Sequence, residues 1–164
     1  MDIVFMCDPV TLNYQAVPSA CNVGTDVETL SKKGWLMCPQ LPLTADEPLS
    51  FRRLDFGKNT RDIEFVVGFY NKNESVAKDV SINFFECKSL QQEVLQPEMY
   101  FNITQISAVD DIAPKESKLF FLRIKYLGGL TTSECVCEIV ACSKHNCTAE
   151  NAYESSRIYI GISD

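Results

Sequence analysis

Apolar and polar residues alternate with a period of two over long parts of this chain. In the stretch from Arg61 to Cys87, Phe65, Val67 and Phe69 alternate with Glu64, Gly68 and Tyr70, and then Val80, Ile82 and Phe84 alternate with Ser81 and Asn83. That period belongs to half-buried strands. Between the two runs Asn71, Lys72, Asn73, Glu74 and Ser75 offer turn chemistry and nothing to bury, so a hairpin-like or sheet-crossing connection is expected there. Set among the strands that follow, the pair reads best as the second and third strands of a sandwich, whose connection can cross between sheets. Phe65, Val67, Phe69, Val80, Ile82 and Phe84 are then expected in one core.

The pattern continues on both sides. Leu49–Phe56 is expected as a first strand, with Phe51 and Leu54 inward and Arg52 and Arg53 marking an edge. After Pro97, Met99, Phe101 and Ile103 alternate with Tyr100, Asn102 and Thr104. Ala113–Ser117 reads as a turn; beyond it Phe120, Leu122, Ile124 and Tyr126 alternate with Phe121, Arg123 and Lys125 until Gly128 and Gly129. Glu134–Cys142 places Cys135, Cys137, Ile139 and Ala141 on one face, and that face is expected inward because burying Glu138 unpaired would be costly. Ser156–Ser163 points Ile158, Ile160 and Ile162 one way. Strands at short intervals with almost no helical period predict an antiparallel β-sandwich, and about seven strands after residue 49 is the number of an immunoglobulin-like fold.

Residues 1–48 differ from residues 49–164, and the division is expected to separate a cysteine-containing, loop-rich N-terminal segment from the sandwich it packs on. The segment holds Pro9, Pro18, Pro39, Pro42 and Pro48 and one convincing strand, around residues 3–6. Thr25–Ser31 predicts a short helix capped by Thr25, with Glu28 as its capping-box partner and Gly34 as its stop. Such a segment is expected to depend on disulfides and on packing against the main body.

With 164 residues, 46% of them hydrophobic, the chain can bury a real core. Its net charge of −7, with no basic stripe, argues against a nucleic-acid partner. The eight cysteines, Cys7, Cys21, Cys38, Cys87, Cys135, Cys137, Cys142 and Cys147, are dense and even in number, which predicts a disulfide framework in an extracellular or luminal protein. Asn73, Asn102 and Asn146 each open an Asn-x-Ser/Thr glycosylation pattern. The first residues have neither the basic region nor the apolar run of a signal peptide, so the secretion signal is expected to lie outside this chain. No apolar run reaches the length of a membrane span, so no membrane insertion by this segment is expected.

The order of strand, Asn-rich turn, Val76-Ala77-Lys78-Asp79-Val80 and apolar strand, followed by Ile112-Ala113-Pro114-Lys115-Glu116-Ser117 before a later strand and Asn151-Ala152-Tyr153-Glu154-Ser155 before the last, resembles the CARDB-type and related immunoglobulin-like modules of cell-surface proteins. The resemblance covers residues 61–162. It implies adhesion, spacing or display, and supplies no catalytic residues. The cysteines and the N-terminal 48 residues depart from the pattern of those modules.

Among candidate chemistry, Cys135, Cys137, Cys142, His145 and Cys147 form the densest cluster. Four thiols and an imidazole match the ligand types of a tetrahedral zinc site. Their spacing is not that of paired CxxC knuckles, and a strand here sends Cys137 and Cys142 to opposite faces, so disulfides are the expectation and no metal or cofactor is predicted. Cys135 and Cys137 are expected to seek different partners, and Cys142 and Cys147 to close a short loop. His145, the one histidine, lies in a polar loop and reads as a surface residue. Asp46-Glu47 and Asp110-Asp111 read as loop charges without glycosidase or calcium-loop spacing. Of Phe120 and Phe121, as of Phe84 and Phe85, one ring is expected in the core and the other against the N-terminal segment or a partner. The chain is thus expected to be no enzyme but a non-catalytic extracellular binding or structural domain of a surface glycoprotein, engaged in adhesion, receptor contact or assembly with another protein. A secreted decoy or inhibitor of a basic host protein such as a chemokine, and a membrane-proximal domain of a cell-fusion glycoprotein, are the alternatives.

Overall fold

The long alternating runs become the long strands. The computed structural model describes residues 3–19, 26–148 and 150–163. In chain order the elements are β1 (Ile3–Cys7), β2 (Tyr14–Pro18), α1 (Asp26–Lys32), β3 (Leu36–Met37), β4 (Gln40–Leu41), a 3-10 turn (Leu49–Phe51), β5 (Arg53–Phe56), β6 (Asp62–Tyr70), β7 (Ala77–Ser89), β8 (Val94–Leu95), α2 (Pro97–Tyr100), β9 (Phe101–Gln105), β10 (Asp110–Ile112), β11 (Ser117–Tyr126), β12 (Glu134–Ser143) and β13 (Glu154–Ile162).

Residues from 40 onward build an immunoglobulin-like β-sandwich. One sheet runs β4-β6-β11-β9; the other runs β10-β7-β12-β13-β5, with β8 also on β7. The pairings are antiparallel except for the short parallel contacts of β4 with β6 and β5 with β13. Strands β6 and β7 therefore lie in different sheets, and the Asn-rich turn crosses between them. At both margins the chain also changes sheet, once from β4 to β5 and once from β9 to β10.

The core lies between the sheets. Phe65, Val67, Phe69, Val80 and Ile82 are buried in it together with Phe120, Leu122, Ile124, Ile139, Ile158 and Ile160. Phe84, expected there too, is only partly buried against the same cluster. The turn has something to bury after all. Asn71 is 1% exposed, donates from Nδ2 to the Ser75 and Ile112 carbonyls, and accepts the Asn73 amide at Oδ1. A side-chain amide that satisfies backbone groups on three sides can be buried without loss, which the polar letter alone conceals.

Two strand boundaries differ from the sequence reading. Leu49–Phe51 winds as a 3-10 turn, with the Arg52 side chain donating to the Glu47 carbonyl, and only Arg53–Phe56 forms the edge strand. Pro97, whose fixed φ suits a helix start, opens the single turn of α2; Met99 therefore lies on that helix and stays exposed, and the strand begins at Phe101.

The N-terminal stretch, read as loop-rich, contains a sheet of its own in the order β2-β1-β3. Helix α1 closes one face, where Leu30 joins Met6 and Val17 with Val27 and Trp35 around them. The residue expected to cap this helix, Thr25, lies outside the described residues; Glu28 pairs with Lys32 at 3.2 Å, and Gly34 follows at φ +91°. The other face turns its Cys7 end to the sandwich, where Cys7 and Cys38 pack with Phe51, Val66 and Leu119. Tyr14 meets Phe121 with ring centroids 4.6 Å apart. Strand β6 is thereby covered on both faces, which accounts for the unbroken buried run Phe65–Phe69. Gly68 is needed there: a Cβ would stand 2.8 Å from the Gln40 side chain, and its amide bonds the Pro39 carbonyl at 2.7 Å.

Candidate functional site

The sheet change between β9 and β10 leaves part of β7 without a neighbour. Strand β12 pairs along one edge of β7, while on the other edge β10 reaches Ala77 and Val80 and β8 reaches Cys87 and Lys88. Among the described residues no strand covers that edge between Val80 and Cys87. Gln105 fills part of the gap: its Oε1 accepts the Ile82 amide at 2.8 Å and its Nε2 donates to the Ser107 carbonyl at 2.9 Å. By the alternation of an antiparallel strand, the backbone groups of Phe84 face the same side as those of Ile82.

In front of this edge lies a groove of about 830 Å³ between β7 and β9. Ile82, Phe84, Phe101 and Ile103 line it, with Ile106 and Leu127 beside them, 53% and 54% exposed. Glu98, Asn102 and Lys144 supply its polar and charged margins. At Phe84 the strand edge thus opens onto a groove with mixed apolar and polar lining.

The cysteines divide unequally. Bridges join Cys7 to Cys38, Cys87 to Cys137 and Cys142 to Cys147. The last closes the short loop expected of it. The first lies wholly within the N-terminal stretch rather than tying it to the sandwich, and the second crosses between directly opposed residues of one sheet. Cys135, expected in a bridge, has none, because it shares a buried face with Cys137 and its cross-strand neighbour is Ser89. Burial pushes its thiol up to about 11. Cys21 lies outside the described residues. The zinc grouping is not assembled: Cys137 and Cys142 are spent in separate bridges, and the sulfurs that meet are instead those of Cys87, Cys135 and Cys137.

His145 sits exposed in the β12–β13 loop, 4.0 Å from Asp79. The two carboxylates of β10 are engaged in ion pairs, Asp110 with Lys118 at 3.3 Å and Asp111 with Lys78 at 3.1 Å. The Asp79 amide and Lys78 hold the Asp111 carboxyl below the ordinary range. Asp46 is exposed, whereas Glu47 is half-buried and its carboxyl is raised by desolvation. Asn73, Asn102 and Asn146 are all exposed, in the β6–β7 turn, on β9 and in the β12–β13 loop respectively. The groove and the role of Gln105 were missed from sequence. A lone Gln after an alternating run carries no signal, and only the pairing of β10 with the far end of β7 exposes the gap.

No family model matches the chain, and no curated protein matches it in sequence. Solved structures overlap it loosely. The secreted serine protease VesC from Vibrio cholerae is 10% identical over 68% of this chain and 21% of its own, with a TM-score of 0.43. The Escherichia coli chaperone DraB is 16% identical over 68% of this chain and 51% of its own, at 0.40, and the Pseudomonas aeruginosa CupB2 chaperone is 18% identical over 68% and 52%, at 0.36. The chain spans from a fifth to about half of those proteins' lengths, and overlaps this loose carry no conclusion about activity or partner.

Proposed function

We propose that this chain is a non-catalytic protein-binding domain of an extracellular surface glycoprotein, and that it engages an extended segment of another protein along the open edge of β7. The carrying observation is the uncovered stretch between Val80 and Cys87, capped by a side chain and fronted by the groove. An incoming strand would replace the Gln105 amide with backbone hydrogen bonds, and alternate side chains would enter between Phe84, Ile103 and Ile106. Backbone pairing supplies affinity there; the groove selects the side chains.

Two further features support this reading. Three disulfides suit an oxidising environment, and the glycosylation patterns at Asn73 and Asn146 occupy exposed positions away from the groove lining, whereas Asn102 borders the groove and is required to be free of glycan. The Asn-containing turn, which resembles those of CARDB-type modules, has a physical task here, since Asn71 locks the sheet crossing that holds β7 in place.

A selection of displayed peptides on the oxidised chain tests the proposal. Ile106→Arg and Leu127→Arg are expected to weaken the selected peptide by roughly tenfold or more. Ile3→Arg and Met37→Arg, on the exposed N-terminal sheet, are expected to leave it unchanged. Selection of peptides that ignore the groove variants and respond to the N-terminal ones would place binding elsewhere and overturn the assignment.

A further inference from the structure

The bridge between β7 and β12 has a third sulfur beside it. Cys87 and Cys137 are directly opposed and bonded, and Cys135 lies two residues before Cys137 on the same inward face. The Sγ atoms of Cys87, Cys135 and Cys137 all lie within 4.8 Å of one another, and all three residues are buried. On the side of Cys137 away from Cys135 the register of β7 against β12 shifts, between Cys137 and Ile139, so a β-bulge adjoins the bridge.

We propose that this is a site of internal thiol–disulfide exchange, in which Cys135 and Cys137 compete for Cys87. The Cys135 thiolate attacks Cys87 Sγ; the Cys87–Cys135 bond forms as the Cys87–Cys137 bond breaks, and Cys137 leaves as a thiolate that takes up the proton Cys135 released. The number of disulfides is unchanged, and no outside oxidant or reductant is consumed. The diagonal Cys87–Cys135 pair is about 7–8 Å apart at Cα in the resting alignment, and sliding β12 on β7 closes it; the i and i+2 pair Cys135–Cys137 is held apart on one strand face whatever β12 does, so Cys87 is the sulfur that changes partner. The exchange moves the cross-link along β12 and couples the redox state of the core to the alignment of β12 on β7, the strand whose other edge faces the groove. Burial keeps Cys135 protonated at neutral pH, which makes the exchange slow until the site opens or the pH rises.

Peptide mapping without reduction tests it, on the full chain in a Cys21→Ser background so that Cys21 cannot intervene. Cys137→Ser is expected to yield a Cys87–Cys135 linked peptide, and Cys135→Ser to keep Cys87–Cys137. In the chain that retains all three thiols, incubation at pH 10 followed by acid trapping and alkylation is expected to label Cys137 as well as Cys135. A folded Cys137→Ser protein with Cys87 and Cys135 both free would overturn the proposal. Should that variant fail to fold, alkaline labelling confined to Cys135 would overturn it equally.

Discussion

The N-terminal sheet and the sandwich solve the same problem with very different resources. In the sandwich, two sheets enclose a contiguous core, and the rings of Phe56, Phe65, Phe69 and Phe120 are all but completely buried in it. In the N-terminal sheet a helix of 7 residues covers one face with Leu30, and on the other face only the Cys7 end reaches the sandwich. Ile3 and Met37, each 61% exposed, show how little apolar surface that sheet manages to enclose. The sandwich is held by burial; among the described residues the N-terminal sheet is held by one bridge and a docking patch.

The largest effect that would break this contrast is a core truncation. Phe120→Ala is expected to cost about 3–5 kcal/mol in chemical denaturation, because the ring is fully buried between the sheets. Removing Cys7 and Cys38 together is expected to cost roughly 3–4 kcal/mol of the N-terminal sheet's local stability, by loop entropy for a separation of 31 residues. Hydrogen exchange should show that loss in β1 and β2 while the amides of β11 and β12 keep their protection. A global loss shared by both regions would mean that the sheet is integral to the sandwich.

A smaller effect separates the regions by pH. The Cys135 thiol ionises at about 11 in the fold against 9.0 as its reference. Its folded value is raised, so the stability it contributes is complete below the unfolded value and is lost as pH rises through the folded one. Between pH 9 and 11 the parent protein is expected to lose roughly 1–2 kcal/mol more than Cys135→Ala, read from denaturant midpoints. The smallest effect is at the docking patch, where Tyr14→Ala, by removing the ring packed on Phe121, is expected to cost about 1 kcal/mol and to raise exchange in β2 alone.

The same contrast explains what could be read in the sequence. Long alternation on β6, β11 and β12 revealed the strands and most of the core, because period two over a full strand has few other solutions, and it left the sheet crossing as one of two options that the pairing decides. Phe121 was legible as a ring needing a second cover, and Val66 and Leu119 carried the same signal within apolar runs that resemble ordinary strand interior. The N-terminal sheet was illegible beyond β1. Its partner strand, Tyr14–Pro18, buries only Val17, and β3 is two residues long, so neither has a period to detect. At the candidate site the exposed sequons and the Cys142–Cys147 loop followed from spacing. The unbonded Cys135 and the open edge did not, since both depend on which residue stands opposite which across β7.

The binding account rests on that open edge, and amide hydrogen exchange along β7 tests it most directly. In the free protein the Phe84 amide is expected to exchange roughly a hundredfold faster than that of Asn83, which alternation turns toward β12, and to become protected when a selected peptide binds. Equal protection of the two amides before binding, or protection by the peptide that appears on β1 and β2 and spares Phe84, would contradict it.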